Sequence, residues 1–192
     1  MLIYQKGIFE GGRKVDTPVS LVDLAPTFLD TARIDPASMH MDGHSLLKRE
    51  NGNVYSIYSC YQEVRNGSAK MIPEMFRNDS KLLKEVCGNY MITDGQWKYI
   101  YSAPDHKEFL FDMLTDQETR NRAGVASCKP QQVRLKKQLI TFLEQEGISG
   151  LSSNGEWIDY PVFQLPDNPD SGLITQNITC DWFDEILPGY TC

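Results

Sequence analysis

The sequence has no long apolar run and no excess of basic residues. None of its apolar stretches approaches the roughly 18 to 20 residues of a membrane-spanning helix, and its first residues lack the basic-then-apolar pattern of a signal peptide. The 192 residues include 19 Lys and Arg against 26 Asp and Glu, which gives a net charge of -7. Nucleic acids and anionic membranes bind clustered basic side chains, so we expect neither as a partner.

Cysteine pairs at metal-binding spacing are also absent. The cysteines are odd in number and include no Cys-x-x-Cys pair; they are Cys60, Cys87, Cys128, Cys180 and Cys192. This pattern predicts neither a zinc site nor a complete disulfide framework, so scattered thiols are the expectation. Three N-glycosylation sequons, at Asn66, Asn78 and Asn177, hint at a secretory route but leave the compartment unknown.

The first 47 residues predict one strand, one helix and a loop. The opening run "MLIYQ" suits a short buried strand. Apolar residues then recur at helical spacing, with Thr17 and Pro18 as start signals; they are Leu21, Leu24, Ala25, Phe28, Leu29 and Ala32. Pro26 lies inside this pattern, so the helix either begins again there or is kinked. A loop follows and places a domain boundary near residue 48.

Residues 48–146 predict an antiparallel sheet covered by a helix. Four runs have strand character, at residues 54–60, 89–93, 97–102 and 108–113, and a polar segment at 64–88 suits a loop with a short helix. Asp94-Gly95 and Pro104-Asp105 are turn signals between the later strands. We expect one aromatic face, formed by Trp97, Tyr99, Tyr101, Phe109, Phe111 and Met113.

The covering helix is predicted at residues 129–147. Pro130 suits its first turn, and Gly147 suits its end. Its apolar stripe is predicted at Val133, Ile140 or Leu139, and Leu143. Residues 147–192 are rich in polar and turn-forming residues and predict an extended tail. The fold class is therefore α+β, with a sheet of about four antiparallel strands and a C-terminal helix.

Four blocks in this order resemble the C-terminal third of the type I sulfatases, which belong to the alkaline phosphatase superfamily. The blocks are "PVSLVDLAPTFLDTA", "DGHSLL", "ITDGQWKYIY" and "FLFDMLTDQETRN". The resemblance covers residues 1 to about 146 and implies that 1–47 are the final strand and helix of the sulfatase α/β catalytic domain. The family usually has Pro where Gln117 stands and commonly Gly where Arg33 stands. Within the last block, Thr115 and Glu118 have the spacing of a capping box.

The nucleophile that the resemblance implies is not in this sequence. Sulfatases of this type use formylglycine, made within a Cys/Ser-x-Pro/Ala-x-Arg motif, together with a bound Ca²⁺, and no such motif occurs here. Asp42-Gly43-His44 has the wrong order for the family's Asp-His-Gly metal stretch and is interpreted as a turn. We therefore expect no catalytic residue, no metal ligand and no cofactor in this chain. The expected partner is a missing N-terminal catalytic portion that carries both groups.

Substrate contacts are the remaining role to assign. Imidazole and ammonium groups donate well to sulfate oxygens, so His106, Lys107 and His44 are the candidate substrate-binding residues. A surface histidine in a turn and a solvated strand lysine are the structural alternatives. The sulfated small molecule or carbohydrate would bind in the complete enzyme.

Two other functions remain open. A phosphatase or phosphodiesterase fragment of the same superfamily would have a Thr or Ser nucleophile upstream instead of formylglycine. An independent non-catalytic binding module would use the sheet alone. An independent module should be monomeric and fold cooperatively, whereas a severed portion should aggregate or need its partner.

Overall fold

The computed structural model describes residues 3–4, 6–8, 11–12, 14–35, 39, 41–47, 52–59, 73–76, 78–116 and 118–162. The predictions for Cys60, Cys180, Cys192, Asn66, Asn177 and Gln117 lie outside these residues. The chain divides into two compact units, which we describe separately. Unit 1 consists of Met1–Ser56, Met91–Ile100 and Glu108–Leu139, and unit 2 consists of Ile57–Tyr90, Tyr101–Lys107 and Ile140–Cys192.

The described elements confirm the α+β class. Three α-helices are α1 (Leu24–Thr31), α2 (Ser80–Val86) and α3 (Lys129–Gln145). Four strands form one antiparallel sheet in the order β1-β2-β3-β4: Val54–Ser59, Gly88–Thr93, Trp97–Ser102 and Lys107–Asp112. A second sheet of two strands pairs β5 (Ser152–Ser153) with β6 (Glu156–Trp157). Among the described helices, none is long and apolar enough to cross a membrane.

The turn between β2 and β3 is fixed by Asp94 and Gly95, as predicted. The Asp94 carboxylate accepts the N–H groups of Gln96 and Trp97 at 3.0 and 2.7 Å. Gly95 has a φ of +94°, which favours glycine. Partial burial opposes ionisation of Asp94, but the bonds from Trp97 and Arg134 outweigh it and lower its pKa. The turn therefore sets the register of this hairpin.

The predicted aromatic face is correct for β3 and wrong for β4. Tyr99 and Tyr101 are buried, but on β4 the buried residue is Leu110. Strand side chains alternate between the two faces, so Phe109 and Phe111 lie on the opposite side. These two rings are half-buried and stack on each other with centroids 6.3 Å apart. They are not part of the fully buried core.

The α1 region begins later than predicted. A 3₁₀ turn at Leu21–Asp23 precedes α1, and the Ser20 N–H donates to Asp23 Oδ2 at 2.9 Å. Thr17 and Pro18 precede the helix instead of starting it. Pro26 lies in the first turn of α1, where a missing N–H costs no intrahelical hydrogen bond. Of the predicted first strand, only Ile3 and Tyr4 are described, and neither is in a strand.

The capping box predicted at Thr115 and Glu118 is wrong. The Thr115 N–H donates to the Asp112 carbonyl, and Glu118 instead accepts from Lys98 Nζ at 2.9 Å. The segment after β4 is held by Asn121: its Oδ1 accepts the Leu110 N–H at 2.9 Å, and its Nδ2 donates to a β4 carbonyl. An amide side chain thus pairs with the backbone of this edge strand.

Helix α3 covers part of the sheet, as predicted, but its buried apolar residues differ from the predicted ones. Its buried apolar residues are Leu135, Leu139, Ile140 and Leu143. Val133 was predicted in this stripe but is exposed, because the buried face follows the i, i+4, i+8 series from Leu135. In unit 1, Gln132 Nε2 donates to Glu108 Oε2 of β4 at 2.7 Å. Gly147, with a φ of +78°, follows the helix end.

The tail after residue 147 was predicted to be extended, but its described part contains regular structure. Residues 147–162 contain the small β5–β6 sheet, and Leu151 beside it is buried. Residues 163–192 lie outside the described residues, as do 64–72 of the predicted loop before β2. The described part of that loop contains the predicted short helix, α2. Cys87 and Cys128 are buried thiols.

Candidate functional site

The candidate site in unit 2 is the turn between β3 and β4. Residues 103–106 form this turn, and β4 begins at Lys107. His106 has a φ of +53°, a left-handed conformation that histidine adopts more readily than most residues. The turn therefore places His106 and Lys107, two of the candidate substrate-binding residues, next to each other at one end of the sheet.

Asp105 is the negative group of this turn. Its Oδ2 accepts from Lys107 Nζ at 2.8 Å. Burial opposes its ionisation, but hydrogen bonds from Lys107 and Ser102 outweigh this effect and lower the pKa of Asp105. Its Oδ1 is buried and has no partner among the described residues. Lys107 is therefore already engaged and would have to share its charge with any anionic ligand.

His106 bonds to a residue far along the chain. Its Nδ1 lies 3.2 Å from Asp159 Oδ1, across 53 positions of sequence. The imidazole is mostly enclosed, with 18% of the side chain exposed, whereas the Asp159 side chain is fully exposed. Among the described residues, the Nδ1 contact is the hydrogen bond of this ring, and Nε2 has none.

The segment that carries Asp159 is anchored on both sides. Trp157 stacks on Tyr101 of β3, with centroids 4.0 Å apart and the rings 3° from parallel. Tyr160 packs edge-on against Phe76 at 5.3 Å, and its hydroxyl donates to the Gly150 carbonyl at 2.8 Å. Burial raises the pKa of Tyr160, and nearby Glu85 raises it further. The aromatic contacts thus fix the backbone around an otherwise exposed carboxylate.

A buried carboxylate holds the start of this segment. Glu85 is 5% exposed, and its Oε2 accepts the Gly150 N–H at 2.7 Å. A side chain at position 150 would approach this oxygen to 2.6 Å, so glycine is required for the close contact. Glu85 therefore has a structural role and is not a candidate for catalysis.

His44, the third candidate, belongs to unit 1. Its backbone N–H donates to Asp23 Oδ1 at 2.9 Å, and its side chain is exposed. The Asp42-Gly43-His44 segment lies in a bend, in keeping with its interpretation as a turn.

Sequence reasoning missed Asp159. It lies in the part assigned to an extended tail, and no periodicity or motif links it to His106. The nearest signal is Trp157, since an aromatic residue in a polar segment commonly marks a packing anchor. No group of three or more His, Cys, Asp or Glu in the described part of the chain is placed to hold a metal.

Comparisons with known proteins give only distant structural similarities. No protein-family model and no curated protein matches the chain. A phosphonate monoester hydrolase from Silicibacter pomeroyi is 22% identical over 71% of this chain, with a TM-score of 0.48. The phosphonate monoester hydrolase of Agrobacterium radiobacter is 19% identical over 81%, with a TM-score of 0.49. A protein solved with its substrate D-glucosamine-2-N,6-O-disulfate is 20% identical over 66%, with a TM-score of 0.40.

Each of these proteins is much longer than the present chain. The chain spans 27%, 31% and 24% of their respective lengths. At these identities and TM-scores, neither a family nor an activity follows from the similarity.

Proposed function

We propose that this chain is the C-terminal portion of a hydrolase of the sulfatase type. In this proposal it supports the catalytic portion, contributes His106 and Lys107 to substrate selection, and is not catalytic alone. The substrate is a sulfated small molecule or carbohydrate. The nucleophile and the cation would belong to the preceding portion of the complete enzyme, where formylglycine would supply the nucleophile and Ca²⁺ would offset negative charge on the sulfate oxygens.

The first two of the four sequence blocks behind this proposal are joined to each other in unit 1. Asp23, in the first block, accepts the backbone N–H of His44 in the second. Thr27 Oγ1 accepts the Leu46 N–H at 2.9 Å and donates to the Asp23 carbonyl at 2.6 Å. A side chain at Gly43 would collide with the Val22 carbonyl oxygen. The first two blocks thus pack together, which supports their joint use in the family resemblance.

The observation that carries the proposal is the outward face of α1. Asp23 and Thr27 are buried, at 1% and 3% exposure, whereas Leu21 and Phe28 are 79% and 66% exposed. Ala25 and Ala32 are also exposed and lie at positions i+4 and i+11 from Leu21, on the same side of the helix as Phe28. Surface helices normally bury their apolar stripe. A stripe that has no cover among the described residues fits a helix whose cover belongs to another part of the protein.

The test is the coding sequence upstream of Met1 combined with activity. We expect an in-frame Cys/Ser-x-Pro/Ala-x-Arg motif upstream, and hydrolysis of an aryl sulfate by the complete protein but not by these 192 residues. A Thr or Ser nucleophile upstream, with phosphatase or phosphodiesterase activity, would move the assignment to that branch of the superfamily. Sulfate release by the isolated chain, or no upstream reading frame at all, would reject the proposal.

A matched pair of variants tests the substrate contact in the complete protein. Asparagine tolerates a positive φ, so His106→Asn keeps the turn and removes the imidazole. We expect a raised KM for anionic substrates with His106→Asn, and no change with His44→Asn if His44 is only a turn residue. Equal kinetics for wild type and His106→Asn would remove His106 from the substrate site.

A further inference from the structure

The hydrogen bond between His106 and Asp159 determines what His106 can bind. We infer that Asp159 is a positioning residue that makes His106 a donor to anionic groups only while the imidazole is protonated. The inference rests on the proposed function in one respect, that His106 meets an anionic group of the substrate. The other part of the inference, which nitrogen of the His106 ring carries the proton, depends only on residues of this chain.

The geometry defines which ring nitrogen carries the proton. Asp159 Oδ1 lies 3.2 Å from His106 Nδ1, and an ionised carboxylate only accepts hydrogen bonds. Nδ1 must therefore be the donor, in the neutral ring as well as in the imidazolium. In the neutral ring the other nitrogen, Nε2, then has a lone pair and no proton.

Both partners are held so that this pairing persists. His106 is fixed in a tight turn with a φ of +53° and is largely enclosed. Asp159 lies between Trp157, which stacks on Tyr101, and Tyr160, which bonds to the Gly150 carbonyl. The backbone therefore presents the carboxylate even though the carboxylate itself faces solvent.

Among the described residues, the charged groups bonded to the imidazole or next to His106 in the turn are Asp159, Asp105 and Lys107. Asp105 and Lys107 pair with each other at 2.8 Å. Among the described residues, this leaves Asp159 as the charged group bonded to the ring. Its effect is therefore separable from that of the neighbouring ion pair by a single substitution.

The protonation state of His106 therefore decides which ligand groups it can bind. A neutral ring with its proton on Nδ1 presents a lone pair at Nε2, which repels a sulfate oxygen and accepts from a hydroxyl group. The imidazolium donates from both nitrogens and can bind a sulfate oxygen through Nε2. Sulfate binding at this turn should therefore require the imidazolium and be lost from the neutral ring.

The first experiment measures the ring state by nitrogen NMR of the ¹⁵N-labelled chain at about pH 8, where neutral imidazole dominates. We expect His106 to favour the Nδ1–H form by about two- to tenfold more than exposed His44, the internal control. Asp159→Asn keeps an acceptor and should retain the bias, whereas Asp159→Ala should abolish it. The same tautomer ratio for His106 and His44 in the wild-type chain would overturn the inference.

The second experiment measures sulfate binding from the ring signals of His106. We expect binding at a pH where these signals show the imidazolium, weakened about tenfold or more at a pH where they show the neutral ring. In His106→Asn the Lys107 amide signal reports binding by Lys107 alone. Equal binding at both pH values would overturn the inference but keep His106 as an anion contact. Absence of binding at either pH, with the tautomer bias intact, would instead reject the proposed substrate contact and the anion-binding part of the inference.

Discussion

Helices α1 and α3 bury opposite kinds of surface. Helix α3 buries Leu135 and Leu139 completely, in the usual manner of an amphipathic helix. In the α1 region the buried side chains include Asp23 and Thr27, while Leu21 and Phe28 are exposed. The residues that bury the apolar face of α3 therefore lie within this chain. The apolar face of α1 has no comparable cover among the described residues.

The largest expected effect separates the two helices directly. Leu139→Ala should lower the free energy of unfolding by about 2–5 kcal/mol, because it removes buried methyl groups and leaves a cavity. Phe28→Ala, on the exposed face of α1, should change it by less than about 0.5 kcal/mol in the isolated chain. Urea unfolding followed by circular dichroism checks both. A Phe28→Ala cost as large as that of Leu139→Ala would mean that α1 is already packed.

The second largest loss of stability is expected from Asp23, on the polar side of the α1 region. Asp23→Ala should cost about 1–3 kcal/mol, because it leaves the N–H groups of Ser20 and His44 without their acceptor. Asp23→Asn keeps one acceptor oxygen and should cost less. Hydrogen exchange of the His44 amide gives a local readout beside the unfolding curve. Unchanged exchange in Asp23→Ala would show that Asp23 does not hold the second sequence block.

A smaller effect concerns the edge of the sheet. Asn121→Ala should lower stability by about 1 kcal/mol, since the Leu110 N–H loses its partner. Asn121→Asp keeps the acceptor but removes the donor to the Glu108 carbonyl, so it should lose less. Thermal unfolding compares the two. Equal stability of all three proteins would mean that water replaces the side chain at this edge.

The pH dependence of the β2–β3 turn gives the smallest effect. Because the pKa of folded Asp94 is lowered, its contribution to stability is present above the unfolded value, near 3.8, and is lost as pH falls through the folded value. Asp94→Asn should therefore reduce the acid-induced loss of stability below about pH 4. Arg134→Gln, which removes the partner at 2.5 Å, should act in the same direction. Identical acid unfolding of wild type and both variants would contradict this role.

Local sequence patterns predicted most of the sheet. The period-two runs gave β1 to β4, and Asp94-Gly95 gave the turn, because each depends on neighbouring residues. The phase of β4 was wrong because both of its faces look apolar, with Leu110 on one side and Phe109 and Phe111 on the other. Only pairing with β3 decides between them, and pairing is not a local property.

The sequence placed two residues of the candidate site in one turn and missed their long-range partner. His106 and Lys107 follow from the turn signal at Pro104-Asp105, but Asp159 does not, because the bond crosses 53 positions and joins two segments without a shared pattern. Glu118 was also assigned a local partner by its spacing, which predicted a cap with Thr115. Its partner in the structure is Lys98 of β3, 20 positions away. Long-range ion pairs therefore have to be read from the structure.

Sedimentation velocity of the isolated chain tests the central claim, that α1 carries an uncovered contact surface. We expect concentration-dependent association of the wild type that Leu21→Gln with Phe28→Gln suppresses. Leu114→Gln is the matched control, since Leu114 is also highly exposed, at 72% against 79% for Leu21, but lies outside both α1 and the 3₁₀ turn that precedes it. A wild-type chain that stays monomeric at all concentrations and unfolds cooperatively would contradict the account and favour an independent module.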